Sequence, residues 1–213
     1  MPEKKQLRIL CFGDSLTAGY HSWGIGAHPY AAKLKQTLET ALPNLEIESK
    51  VDGVPGDLVV PPGSFLRRIQ DDCKTQWDWV IFLGGTNDLG YGKTPEEIYA
   101  GLQTSWNVAL DAGAKLLALT VPECAVRSEQ LIGRRAELNE LILSHGQDRF
   151  HAFNLHEKIP YFSSSPEFTR DVFDDGLHLT PKGYDLMGNV IGQHLARLLR
   201  DEGIADKTDE DDL

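Results

Sequence analysis

Cysteine is scarce in these 213 residues: Cys11, Cys73 and Cys124 are the whole supply. Three widely spaced thiols are no disulfide framework, and neither C-x-x-C nor H-E-x-x-H occurs. A stapled secreted scaffold and a dedicated zinc site are therefore both disfavoured, and the reading needs no metal and no cofactor. Cys11 lies inside an apolar strand pattern and reads as a small core residue, whereas Cys124 follows another such pattern and could line a pocket. Long apolar runs are also missing, and nothing approaches the roughly 20 residues of a membrane span. The opening MPEKKQ is followed by a stretch too short for a signal-peptide core, and no N-x-S/T sequon occurs. The expectation is a cytoplasmic protein with no stable membrane association.

Positive charge is in the minority, with 21 Lys and Arg against 32 Asp and Glu, a net charge of -11. That balance disfavours nucleic acid and anionic lipid as partners. More than half of the excess sits in residues 201–213, which hold seven acids and one base. The chain thus divides into one domain over residues 1–200 and an acidic tail, 201–213, too polar to fold alone and expected to be disordered. Nothing in the composition speaks to oligomeric state. Nucleotide-binding signatures are absent too. No G-x-G-x-x-G follows the first strand, and Gly24-Ile25-Gly26 lacks the lysine of a P-loop. A G-x-S-x-G elbow is likewise missing.

What is present is an alternation. Short runs, apolar on both faces, occur at Leu7–Phe12, Glu46–Val51, Trp79–Leu83, Lys115–Val121 and Phe150–Leu155. They read as parallel strands covered by helices. Helical patterns fall at about Tyr30–Leu42, Phe65–Lys74 and Gly133–His145, and two more have readable starts at Thr94-Pro95-Glu96-Glu97 and Thr180-Pro181. His194, on the apolar stripe of the last helix, reads as a core or boundary histidine. This order predicts an α/β domain, a three-layer α/β/α sandwich with about five mostly parallel strands. Sites in such sheets form beyond the carboxyl ends of the strands.

Four polar segments sit at those ends. Gly13-Asp14-Ser15-Leu16 follows the first strand, and Asp52-Gly53-Val54-Pro55-Gly56-Asp57 follows the second. Gly84-Gly85-Thr86-Asn87-Asp88 follows the third, and Asp174-Asp175-Gly176-Leu177-His178 precedes the final helix. Together they supply what acyl transfer needs. A serine hydroxyl is a weak nucleophile unless a base takes its proton. His178 can be that base for Ser15 if a carboxylate fixes its other nitrogen, and Asp175 stands three residues before it, with Asp171 and Asp174 as rivals. The Asn87 amide and the backbone N–H groups of Ser15 and Gly56 could receive the oxyanion. Asp14, Trp23, Pro122, Glu123 and Val126 are candidates for the substrate pocket.

These four blocks, in this order over about residues 8–183, resemble those of the SGNH (GDSL) hydrolase family. The resemblance implies a flavodoxin-like fold and an esterase or lipase activity. It implies Ser15 as nucleophile and oxyanion donor, Gly56 and Asn87 as further donors, His178 as base and Asp175 as its partner. Gly56-Asp57 matches the glycine block better than Gly53, and Leu179 stands where many members have proline. The expected substrate is a small ester, with short acyl groups such as acetyl preferred. Lysophospholipid or thioester hydrolysis is the alternative within the family, and a non-catalytic α/β binding module the alternative outside it.

Overall fold

All five apolar runs form strands in the computed structural model, which describes residues 4–203. They are β1 (Lys5–Gly13), β2 (Leu45–Gly53), β3 (Trp79–Leu83), β4 (Lys115–Leu119) and β5 (Phe150–Phe153). Every pairing is parallel, and the order across the sheet is β2-β1-β3-β4-β5. This is the doubly wound, flavodoxin-like arrangement, whose switch point lies between β1 and β3.

Five long helices cover the sheet: α1 (Ala31–Ala41), α2 (Phe65–Asp72), α3 (Pro95–Asp111), α4 (Glu129–Ser144) and α5 (Pro181–Asp201). Helices α1 and α5 pack on one face, and α2, α3 and α4 on the other. Alternation along the strands explains the two cores. Ile9 and Cys11 of β1 face α1 and α5, whereas Leu10 and Phe12 face the opposite layer. Because both faces are covered, all five residues of β3 are apolar and buried. Each such burial contributes roughly 1.5–3 kcal/mol against exposure. His194 packs its ring against Phe153 at 4.7 Å, and burial pushes its pKa down.

Helix starts follow local capping chemistry. Thr94 and Glu97 form a reciprocal capping box with Pro95 at the first helical position, and the Thr180 hydroxyl caps α5 just before Pro181. The sequence reading starts α4 at Gly133, but it begins at Glu129, because the Ser128 hydroxyl accepts the Leu131 N–H and caps the helix earlier. Short one-turn helices at Ser15–Ala18 and Thr86–Gly90 sit directly on the carboxyl ends of β1 and β3. No described helix is long and apolar enough to cross a membrane. Of the expected tail, Asp201 ends α5, and residues 204–213 lie outside the described residues.

Candidate active site

Ser15 owes its position to the way β1 ends. A Cβ on Gly13 would stand 2.5 Å from the Leu83 carbonyl oxygen, so only glycine lets the chain leave the sheet this close to β3. Asp14 then caps the one-turn helix, its Oδ1 accepting the Leu16 N–H at 3.0 Å. Ser15 becomes the first helical residue, and its N–H has no intrahelical acceptor.

His178 and Asp175 are delivered by a tight hairpin. Phe173 pairs with Leu179 across it, and the Asp174 N–H donates to the His178 carbonyl at 2.8 Å. At its tip Asp175 Oδ1 accepts the N–H groups of Leu177 and His178 at 3.0 and 2.8 Å. Gly176 turns the chain with φ +83°, and a Cβ there would also meet the Ala125 Cβ at 2.7 Å. Its carbonyl accepts the Ala125 N–H at 2.7 Å, tying the hairpin to the loop after β4. The remaining oxygen, Asp175 Oδ2, lies 2.7 Å from His178 Nδ1, and His178 Nε2 lies 3.0 Å from Ser15 Oγ. A carboxylate can only accept, so Nδ1 carries the proton and Nε2 is free to accept from the serine hydroxyl. Burial alone would raise the Asp175 carboxyl. The hydrogen bonds from His178 and Leu177 outweigh it and hold the pKa below the usual carboxylate value. The Tyr20 ring packs on the imidazole with centroids 4.5 Å apart. The rival carboxylates are engaged elsewhere: Asp174 accepts the Ser22 N–H at 2.6 Å, and Asp171 pairs with Lys182 at 2.6 Å.

The candidate oxyanion side is assembled from the exits of β2 and β3. Val54-Pro55-Gly56-Asp57 forms a turn closed by the Asp57 N–H on the Val54 carbonyl, with Gly56 at φ +78°. Proline second and a left-handed glycine third suit a type II turn. Among the described residues the Gly56 N–H has no acceptor. Gly53, by contrast, ends β2 in register with Gly13. The Asn87 amide donates one N–H to the Asp57 carbonyl at 2.9 Å, leaving its second for another acceptor. Asp88 accepts the Val59 and Val60 N–H groups at 3.0 and 2.9 Å. Burial is the larger influence on that carboxyl and raises its pKa in spite of those bonds.

A cavity of about 300 Å³ opens beside Asn87 and the hairpin tip, with Ser15, Gly56 and His178 outside its lining. Asn87 and the Asp175–Leu177 segment border it, and Leu89, Tyr91, Pro122, Val126 and Leu131 supply much of its apolar wall. Cys124 and Arg135 also reach it.

Residues 11–186 match the model of the GDSL-like lipase/acylhydrolase family. The chain belongs to that family. Membership makes it a hydrolase of the esterase and lipase type. The fold is similar to the inhibitor-bound aryl esterase of M. smegmatis, with a TM-score of 0.67, 20% identity, and 91% of this chain and 100% of that one covered. It is also similar to a lipase/acylhydrolase from Enterococcus faecalis, with a TM-score of 0.69, 21% identity and coverage of 90% and 96%. A carbohydrate esterase family 3 structure from Talaromyces cellulolyticus gives a TM-score of 0.67 at 14% identity, with coverage of 92% and 99%. Comparison with curated proteins by sequence finds no match.

In this GDSL-like hydrolase the structure brings Ser15, His178 and Asp175 into one hydrogen-bonded line. Pro122 and Val126 stand on the cavity wall. Three expected pocket residues do not. Asp14 is fully buried and acts as the helix cap, its pKa raised to about 6 by burial. Trp23 is 82% exposed in a left-handed turn (φ +58°) and is absent from the wall. Glu123 also turns away, its Oε2 accepting the Tyr161 and Phe162 N–H groups at 2.6 and 3.0 Å.

Sequence reasoning missed Arg68. Its guanidinium donates to the Gly13 carbonyl at 3.0 Å, to the carbonyl and carboxylate of Asp52 at 2.7 Å each, and to Asp57 at 2.7 Å. It lies over Phe12, 4.6 Å from the ring centroid. One side chain therefore holds the ends of β1 and β2 and the glycine turn together. Asn139 was missed as well. It clamps the exit of β4 by exchanging two hydrogen bonds with the Val121 backbone, at 2.7 and 3.0 Å.

Proposed function

We propose that the protein is a serine esterase that hydrolyses short-chain carboxylic esters through an acyl-enzyme. The observation that carries this reading is the line from Ser15 Oγ to His178 Nε2 at 3.0 Å and from His178 Nδ1 to Asp175 Oδ2 at 2.7 Å. Ser15 attacks the ester carbonyl while His178 takes its proton, and Asp175 holds the imidazole in the required tautomer. The tetrahedral oxyanion is received by the Ser15 and Gly56 N–H groups and by the free N–H of Asn87. Each such donor contributes about 3–4 kcal/mol in the transition state. Collapse passes the proton from His178 to the leaving alcohol. Water, deprotonated by His178, then releases the acid.

Short acyl groups are favoured by the size of the cavity, which at about 300 Å³ lies at the small end for ligand sites. Two of the similar structures are named as an aryl esterase and a carbohydrate esterase, in keeping with a small ester. A pure binding module on this scaffold has no use for a serine, an imidazole and a carboxylate in line. The test is labelling with a fluorophosphonate, followed by turnover of esters graded in acyl length. Modification at Ser15 and a rate maximum at short chains are expected. An unlabelled serine overturns the mechanism, and a preference for long chains overturns the substrate class.

A further inference from the structure

Arg135 sits on α4 between Leu131 and Leu138 and is 96% buried, with 4% of its surface accessible. Burying a guanidinium is costly unless a carboxylate or several acceptors meet it. Arg68, also largely buried, meets Asp52 and Asp57. Arg135 meets neither kind of partner. Among the described residues no carboxylate lies within ion-pair reach of it. Among the described residues its hydrogen bond is a weak one, Nη2 to the Cys124 Sγ at 3.1 Å, and its Nε is buried with no partner. The side chain reaches the wall of the cavity that Asn87 and the Asp175–Leu177 segment border. Among the described residues Asp175 is the only other charged one on that wall, and its oxygens are taken by Leu177 and His178. The cavity thus has an apolar lining, a carboxylate already paired with His178 and a cation whose Nε has no acceptor and whose Nη2 meets only a thiol.

We propose that Arg135 binds a carboxylate carried by the acyl part of the substrate, so that the enzyme acts on half-esters of short dicarboxylic acids. This deepens the serine-esterase reading and rests on it. The ester carbonyl lies at Ser15, the methylenes run along Leu89, Val121 and Leu131, and the free carboxylate meets the guanidinium. A fork of N–H donors suits a carboxylate better than any neutral group of the same size. The acyl chain contributes its charge where water is largely excluded, so the pairing discriminates strongly against a neutral chain.

The experiment compares kcat/KM for monomethyl glutarate and for methyl valerate, a neutral ester of the same acyl length, in the wild-type enzyme and in Arg135→Gln and Arg135→Lys. A charge-assisted bond to a buried group gives the wild-type enzyme a preference of roughly ten- to hundredfold for the half-ester. Arg135→Gln lowers that ratio at least tenfold, and Arg135→Lys recovers part of it. If the variants fail to fold, the wild-type ratio decides alone. A wild-type enzyme that cleaves both esters equally, or prefers the neutral one, overturns the assignment of Arg135. Fluorophosphonate labelling separates the two failures. A labelled Ser15 without half-ester preference sinks this inference alone, whereas an unlabelled Ser15 sinks the esterase reading and this inference with it.

Discussion

The side-chain amide of Asn87 donates to the carbonyl oxygen of Asp57 over 2.9 Å. That bond joins the exit of β3 to the turn that presents Gly56, and it orients the amide's second N–H. The two candidate oxyanion donors are therefore one rigid unit. Asp57 is itself fixed by the Ser64 N–H and hydroxyl, each at 2.7 Å, and by Arg68.

Replacing Asn87 by alanine removes one oxyanion donor and frees the turn. We expect kcat on p-nitrophenyl acetate to fall about 10²–10³-fold with little change in KM. Steady-state kinetics on the folded variant checks this. A kcat within threefold of wild type excludes the amide from the oxyanion site.

Arg68→Met strands two carboxylates, those of Asp52 and Asp57, whose side chains are 23% and 7% exposed. Breaking a buried pair from one side costs about 3–5 kcal/mol. Thermal unfolding should report a Tm lower by several degrees, and Arg68→Lys should recover only part of it because lysine lacks the fork.

Asp175 is stabilised in its ionised form, so its contribution to stability has a definite sign. It is present above the ordinary carboxylate pKa and is lost as pH falls through the lower folded value. Asp175→Asn is therefore less stable than wild type at neutral pH, and the gap closes below about pH 4. Melting curves at pH 7 and pH 3 test this. The same substitution imposes the wrong imidazole tautomer and should lower kcat by about 10⁴-fold, the magnitude known for the serine-protease triad.

Asp14 behaves in the opposite sense. Its folded pKa of about 6 lies above the unfolded value, so stability present in acid is lost as pH rises through 6. Asparagine can accept the same Leu16 N–H without carrying charge. Asp14→Asn should gain stability over wild type above pH 6, by about 1–3 kcal/mol, and lose that advantage below about pH 4. Denaturant melts at pH 8 and pH 4 measure the difference.

Much of the scaffold was legible because it rests on local chemistry. β3 is bounded as the apolar run Trp79–Leu83 predicts, since burial on both faces leaves no room for a polar residue. The Thr94–Glu97 box marks the start of α3 in the sequence itself. Ser15 was legible for a different reason, since strand exits converge on one edge of a parallel sheet, whereas Asp175 and His178, on a hairpin rather than a strand exit, were legible from their three-residue spacing and the family resemblance. What escaped depends on distant partners. Nothing local separates Arg67 from Arg68, yet only Arg68 meets Asp52 and Asp57. Starting α4 at Gly133 cuts Leu131 from the stripe that continues through Arg135, Leu138 and Ile142. With Ser128 recognised as the cap, an arginine on an apolar stripe would have stood out. Asp14 and Trp23 misled because nearness to Ser15 along the chain says nothing about which way a side chain turns.

The bond between the Ala125 N–H and the Gly176 carbonyl ties the strand exit bearing Val126 to the hairpin bearing His178, as one strap. On the proposed reading, acyl selectivity and proton transfer are therefore geared to each other. Remodelling the strap to admit a bulkier acid also shifts the imidazole, and turnover suffers with it. Tyr91 and Leu131 stand on walls outside that strap, so on the proposed reading substitutions there alter the choice of acid while leaving the imidazole in place.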